Sequence, residues 1–223
     1  MSNKPKAYVS WSSGKDAAWA LYKAREAGEF EIAGILTTVT GTFSRVSMHG
    51  VREELLDLQA AALGLPCHKV SIPWPCPNGT YEARMEEAVS ALAAQGVSHM
   101  IFGDLFLEDV RAYREDKLKG TGLTPVFPLW GAETAALARE MIDGGLEAHL
   151  VCVDPRQAPK KIAGRRFDAA LLENLPVSVD PCGERGEFHT VVTAGPMFTK
   201  PIACRSGEVV EREGFIYADF LPG

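Results

Sequence analysis

The chain has 223 residues, 46% of them hydrophobic and 23% charged, a composition that excludes a disordered tail, a collagen-like chain and a coiled coil. Its 23 Lys and Arg against 29 Asp and Glu give a formal net charge of −6, which offers no general basic surface for nucleic acid, and the local cluster Lys160, Lys161, Arg165 and Arg166 reads either as a local basic patch or, more often for such clusters, as a solvated face. The longest apolar run, Ala17–Tyr22, has six residues where a membrane span needs about 20. The basic opening Met-Ser-Asn-Lys-Pro-Lys leads into a strand-like segment, not the apolar core of a secretion signal. Cys67, Cys76, Cys152, Cys182 and Cys204 contain no Cys-x-x-Cys pair, which counts against a zinc ribbon or a redox site and fits free thiols in the cytoplasm.

The first two thirds alternate strand and helix. Residues 7–11 read as a buried strand, and 15–27 as a helix with Ala17, Leu21 and Ala24 on one face. Residues 31–38 form a β-branched strand, 39–49 a polar loop, and 50–63 a helix with Val51, Leu55, Leu58 and Ala62 in phase. A strand at 67–72 precedes a helix capped by Asn78, with Tyr81, Met85, Ala88 and Leu92 as its apolar face. Then come a strand at 99–102, a polar helix at 107–119, a short segment at 125–128, a helix at 132–143 and a strand at 146–153. Such alternation predicts an α/β fold: a Rossmann-like parallel sheet with helices on both faces and ligands at the carboxyl ends of its strands. After Leu175 the pattern changes to short strands at 188–192, 202–204, 208–212 and 215–220, split by Gly195-Pro196, Ser206-Gly207 and Gly214. The chain therefore divides into an α/β body, 1–175, and a small C-terminal α+β element, 176–223, sharing one core.

Three segments carry chemistry. Ser12-Ser13-Gly14-Lys15-Asp16 joins a strand to a helix start, where small residues, free amides, hydroxyls and the helix dipole suit a phosphate or pyrophosphate. It is neither a Walker loop nor a dinucleotide fingerprint, and standing alone it would be a plain helix cap. The second segment, Gly103-Asp104 through Glu115, leaves a strand. It offers Asp104 and Glu108 at the sheet edge and Arg111 and Arg114 for an anion, or else a surface helix of ion pairs. The third, Asp180-Pro-Cys-Gly-Glu-Arg-Gly-Glu-Phe-His-Thr190, packs Glu184, Glu187, His189 and Thr190 into a Gly-rich turn that could steer an amine, bind Mg²⁺ or take a proton, or else be a charged hairpin.

The strand–loop–helix at the amino terminus resembles the PP-loop of the ATP pyrophosphatases, the adenine nucleotide alpha hydrolase-like superfamily. Its usual form is Ser-Gly-Gly-x-Asp-Ser; here Ser13 stands at its second position and Ala17 at its last. With Phe102-Gly103-Asp104-Leu105 and Asp180–Thr190, the chain resembles the diphthine–ammonia ligase family, and Asp-Val-Arg-x-Tyr-Arg is similar to its bacterial branch, where the acceptor need not be diphthine.

That resemblance implies a HUP-type PP-loop body, ATP with Mg²⁺, and adenylation of a carboxylate acceptor followed by transfer of ammonia. Ser10, Trp11, Ser12, Ser13, Gly14, Lys15 and Asp16, the strand Leu36-Thr37-Thr38, and Gly103 and Asp104 are the expected ATP contacts. Arg45, His49, Glu108, Arg111, Arg114, Glu187, His189 and Thr190 are the expected acceptor contacts. Lys15, Asp16, Glu184 and Glu187 are the expected catalytic groups. The Asp180–Thr190 loop is expected to serve acceptor or ammonia and not the nucleotide; metal ligands are unassigned and a homodimer is left open. Two other readings compete: another PP-loop chemistry such as sulfur transfer to RNA, and a nucleotide-binding protein without catalysis.

Overall fold

The computed structural model describes residues 4–223, so Met1–Asn3, part of the opening read as lacking a secretion signal, lie outside it. A parallel sheet is built from β1 (Lys6–Ser10), β2 (Glu31–Thr40), β4 (Cys67–Ile72), β5 (Val97–Ile101) and β6 (Thr124–Val126), in the order β4-β2-β1-β5-β6. The loop expected at 39–49 is partly strand. β2 runs on to Thr40, and β3 (Arg45–Val46) pairs with it antiparallel at Val39 and Thr40. Because β4 occupies the other side of β2 there, β3 lies just beyond the carboxyl end of β1.

Alternation along β1 explains the two-sided burial. Ala7 and Val9 enter one core cluster and Tyr8 the other. The first cluster is closed by α1 (Lys15–Ala27), α2 (Glu53–Leu63) and α5 (Thr134–Asp143), the second by α3 (Asn78–Ala94) and α4 (Glu108–Leu118). Tyr8 fits because Gly34 on β2 has no side chain; a Cβ there would lie 2.4 Å from the ring. Helix α2 begins at Glu53, not residue 50; Val51, Leu55 and Ala62 are buried as expected, but Leu58 is exposed, and Leu56 and Gln59 point inward instead. Asn78 is the first helical residue of α3 and not its cap, which is Pro77.

The second sheet is antiparallel, ordered β8-β7-β10-β9, with β7 (Glu147–Val153), β8 (Phe188–Ala194), β9 (Cys204–Arg212) and β10 (Phe215–Pro222). The two strands expected at 202–204 and 208–212 are replaced by the single strand β9, which begins only at Cys204 and runs through the expected break at Ser206-Gly207. β7, read from the sequence as part of the α/β body, pairs only within this second sheet, so the sheets part between β6 and β7, before residue 175. A 3-10 turn at Lys160–Ile162 and the short α6 (Ala169–Glu173) lead from β7 toward β8. One apolar cluster runs through both parts, from Val9 and Leu21 to Val153, Val191 and Ile216, so they share a core as expected. No helix among the described residues is long and apolar enough to cross a membrane.

Candidate functional site

The Ser12–Asp16 loop turns between β1 and α1. Ser13 occupies the left-handed region at φ 69°, an unusual conformation for a residue with a side chain. Tertiary bonds hold it there: the Ser13 carbonyl accepts from the Val192 amide (2.9 Å) and from Gln59 Nε2 (3.1 Å). Gln59, fully buried, also donates to the Val192 carbonyl and accepts from the Trp11 indole. A polar side chain on the core face of α2 thus clamps the loop to β8.

The Asp180–Thr190 segment closes on the same loop. Thr190 Oγ1 accepts the Lys15 amide at 3.0 Å, capping α1 from 175 residues away. Lys15 is 1% exposed; its ammonium donates to both Asp16 oxygens at 2.8 Å and to the Cys182 carbonyl, between the rings of Phe167 and Phe188. Burial opposes that charge most strongly, but Asp16, Cys182 and Glu184 together outweigh it, and the proton affinity of Lys15 is raised. Lys15 therefore ties the two segments together.

Around this joint lie two adjoining cavities. The first, of about 240 Å³, is lined by Ser12, Lys15, Asp16, Ala17, Gly103, Asp104, Gly183, Glu184, Phe188, His189 and Thr190. The second, of about 440 Å³, has an apolar wall of Trp11, Leu36, Tyr81, Met85, Val89, Met100, Tyr113 and Leu118, with Thr38, and a charged side of Glu82, Glu86, Lys117 and Lys119. Ser10, Ser12, His49, Phe102 and Arg114 border both. Gly103 permits the join, because a Cβ there would sit 2.7 Å from the Asp16 carbonyl carbon and 2.8 Å from the Ala17 nitrogen.

The smaller chamber is acidic and poorly solvated. Burial, then the nearby Asp16 and Asp104 carboxylates, push Glu184 up to about 7, against the Leu105 amide and Lys15, which pull it down. Burial also raises Asp104, opposed by Arg114, whose Nε lies 3.5 Å from Oδ2. His49 and His189 stack at 4.4 Å. Burial and then Lys15 bring His189 down to about 4; burial and then the His189 neighbour lower His49. Both imidazoles are neutral at physiological pH, so their value is as hydrogen-bonding walls.

Of the residues expected from sequence, Ser10, Trp11, Ser12, Lys15, Asp16, Leu36, Thr38, His49, Gly103, Asp104, Arg114, Glu184, His189 and Thr190 border the two chambers. Gly14 lies against His49 and the Thr190 carbonyl. Six other expected residues border neither chamber, among them Ser13, whose side chain is fully buried. Thr37 points to the opposite face of β2 from Leu36 and Thr38, Glu108 is exposed at the start of α4, and Arg111 pairs with Glu115 over the rings of Phe127 and Trp130. Arg45 joins Arg52 in gripping Asp219, beside a separate cavity of about 120 Å³. Glu187 is 2% exposed and borders neither chamber; its oxygens accept the Asp180 amide (3.0 Å) and the Arg185 amide (2.9 Å). The Asp180–Thr190 loop, expected to serve acceptor or ammonia, lines the same chamber as the phosphate loop. Gln59 and the Tyr81–Met85–Val89 face of α3 were not singled out for the site; the one detectable signal was a lone amide among the apolar residues of α2.

Residues 5–125 match the diphthamide synthase N-terminal domain and residues 133–219 the diphthamide synthase C-terminal domain. The junction falls between β6 and α5, where the chain leaves the parallel sheet. The diphthine–ammonia ligase of Schizosaccharomyces pombe is 34% identical over 101 residues, 44% of this chain and 17% of that protein. The human protein of the same name is 27% identical over 175 residues, 72% of this chain and 66% of its own length. The Bos taurus protein is 27% identical over 183 residues, covering 75% and 68%. The chain thus spans about two thirds of the length of these mammalian relatives and a small part of the yeast one.

Proposed function

The chain belongs to the diphthamide synthase family, and from that footing we propose that it is an ATP-dependent amide ligase. It adenylates a carboxylate acceptor with release of pyrophosphate, then transfers ammonia to the acyl-adenylate. The observation that carries this reading is the shared acidic chamber, where the phosphate loop and the Asp180–Thr190 segment meet through Lys15 and Thr190. Two reactants must be held side by side for acyl transfer, and one wall of the chamber comes from each segment.

In this reading the larger chamber takes the adenosine. Its apolar wall, with two tyrosines and a phenylalanine, suits a flat base, and Thr38, Ser10 and the charged side of Glu82, Glu86, Lys117 and Lys119 offer polar edges for the sugar. The α-phosphate lies at the border formed by Ser10, Ser12, His49 and Arg114. Negative charge that develops on the departing pyrophosphate meets the α1 start, the Ser12 hydroxyl and the Arg114 guanidinium. Lys15 acts by positioning the loop, since its ammonium is spent on Asp16 and Cys182. Mg²⁺ enters with ATP as part of the substrate. Among the described residues no three Asp, Glu, His or Cys side chains converge to cage a metal, and Mg²⁺ bound through phosphates and water needs few protein ligands. The five free cysteines suit a reducing compartment, so we place the protein in the cytoplasm.

The test is product analysis with MgATP, an ammonium salt and a panel of carboxylates, including a protein that carries diphthine, the acceptor in the relatives' name. Amide formation with AMP and pyrophosphate is the expected result. ADP and phosphate as sole products would overturn the ligase reading, and tight ATP binding with no turnover on any carboxylate would favour a binding protein instead.

A further inference from the structure

We propose that Glu184 accepts the proton that ammonia loses as it becomes the amide nitrogen. The proposal rests on the ligase reading and adds to it a named group. Glu184 borders the acidic chamber, and one of its oxygens is fixed by the Leu105 amide at 2.8 Å. That bond orients the carboxyl and leaves the second oxygen for the chamber. Its own backbone amide is anchored on Asp180 Oδ1 at 3.3 Å, so the side chain springs from a held turn. Glu187, three residues on, has both oxygens committed to backbone amides and is closed off from the chamber.

The surroundings give Glu184 the proton affinity such a role needs. Burial raises its affinity most, and Asp16 facing it from α1 and Asp104 from the β5–α4 loop add to this, against the Leu105 amide and Lys15. Arg114 from α4 is turned to Asp104, and the two imidazoles His49 and His189 stay neutral. Cys182 and Asp180 within the loop complete the shell, the thiol pushed up to about 12 by burial. A group titrating near neutrality is half ionised at working pH and basic enough to take a proton, whereas neither histidine is.

The step balances as follows. The ammonia lone pair forms the C–N bond at the acyl carbon, the C–O bond to AMP breaks, and AMP leaves with that electron pair. One proton passes from nitrogen to the Glu184 carboxylate, which returns it to water. Adenylation itself needs no base, because the acceptor carboxylate is already the nucleophile.

Two measurements on the full chain test this. Carbon-13 NMR of glutamate carboxyls in the free protein should show a resonance titrating near pH 7 that is missing from Glu184→Gln; titration in the ordinary carboxylate range would overturn the proposal, with no acceptor required. In the amide assay, at constant free ammonia, the wild-type rate should rise with pH through about 7. Glu184→Gln should lose that rise and about 10²–10⁴ of the rate, the usual worth of general base catalysis, while ATP–pyrophosphate exchange is retained. Equal loss of exchange and amide formation, or an unchanged pH profile, would make Glu184 a structural residue. Absence of AMP in the wild type on every carboxylate would instead sink the ligase reading, and the NMR titration would still decide the state of Glu184.

Discussion

The two sides of the Asp180–Thr190 loop are built from the same residue types and behave in opposite ways. On the inner side, Asp180 and Glu187 accept backbone amides and the Thr134 hydroxyl, holding the turn in shape. On the chamber side, Glu184 takes one amide bond and is half-buried among Asp16, Asp104 and Lys15, so burial first and the carboxylates second disfavour its charge. A carboxylate surrounded by donors stabilises the fold, whereas one surrounded by acids and apolar walls costs stability and gains reactivity. Substitutions on the two sides should therefore differ in sign.

The largest effect is expected on the inner side. Glu187→Ala strands the amides of Asp180 and Arg185, and leaving buried donors unmade should cost about 2–4 kcal/mol in chemical denaturation. A loss well under 1 kcal/mol would mean that water replaces the carboxylate and that the inner side is not a brace. Next is Gly103→Ala, where the added methyl meets the Asp16–Ala17 backbone, which cannot swing away. Overpacking of about 1–3 kcal/mol should appear together with weaker MgATP binding, because the helix start moves with it. Normal affinity in a folded Gly103→Ala protein would detach the loop from the nucleotide.

On the chamber side the sign reverses. The folded-state affinity of Glu184 for its proton is raised from 4.5 to about 7, so its contribution to stability is present in acid and lost as pH rises through about 7. Glu184→Gln escapes that loss. Its melting temperature should match the wild type near pH 4.5 and exceed it at pH 8, by an equivalent of about 1–2 kcal/mol after allowance for partial exposure. A variant less stable at pH 8 would show that Glu184 braces the loop as Glu187 does.

This contrast also explains what could be read from the sequence. The strand–loop–helix at 7–27 and the alternation that follows are local patterns, and the parallel sheet follows from them. The phosphate loop and the Gly-rich turn were visible as unusual runs of small and charged residues. That they face one chamber depends on β8 lying against α1, a contact across more than 160 residues that no window of sequence contains. The fate of β7 was lost for a related reason: its apolar run suits a buried strand of either sheet, and only its pairing with β8 and β10 decides. Glu184 and Glu187 could not be told apart, since three residues in a turn with two left-handed glycines, Gly183 and Gly186, set their opposite directions.

The arginines carry the same lesson with a smaller expected effect. Arg114 borders both chambers, while Arg111 lies across Phe127 and Trp130 and Arg45 holds Asp219. Arg111→Ala should leave MgATP affinity within about twofold, the usual reach of a surface change, and Arg114→Ala should not. Equal losses in titrations of the two variants would place Arg111 in the site after all.

The smallest expected effect is a gain. Ala17 borders the acidic chamber in the first turn of α1, the place where the related PP-loop pattern carries a serine. A hydroxyl there would add one donor beside the phosphates without lengthening the side chain into the Gly103 contact, which involves the Ala17 nitrogen and not its Cβ. A hydrogen bond to a charged group is worth about 1.5–3 kcal/mol at most, and 1.4 kcal/mol is a factor of ten, so Ala17→Ser should tighten MgATP or pyrophosphate binding by up to about tenfold. In the proposed binding mode the backbone end of α1 and Ser12 supply most of the grip, which keeps the expected gain modest. Calorimetric titration of both proteins reads it directly. Unchanged affinity would mean that the phosphates sit on the Glu184 side of the chamber, away from the helix start, and the division between a nucleotide wall and an ammonia wall would have to be redrawn.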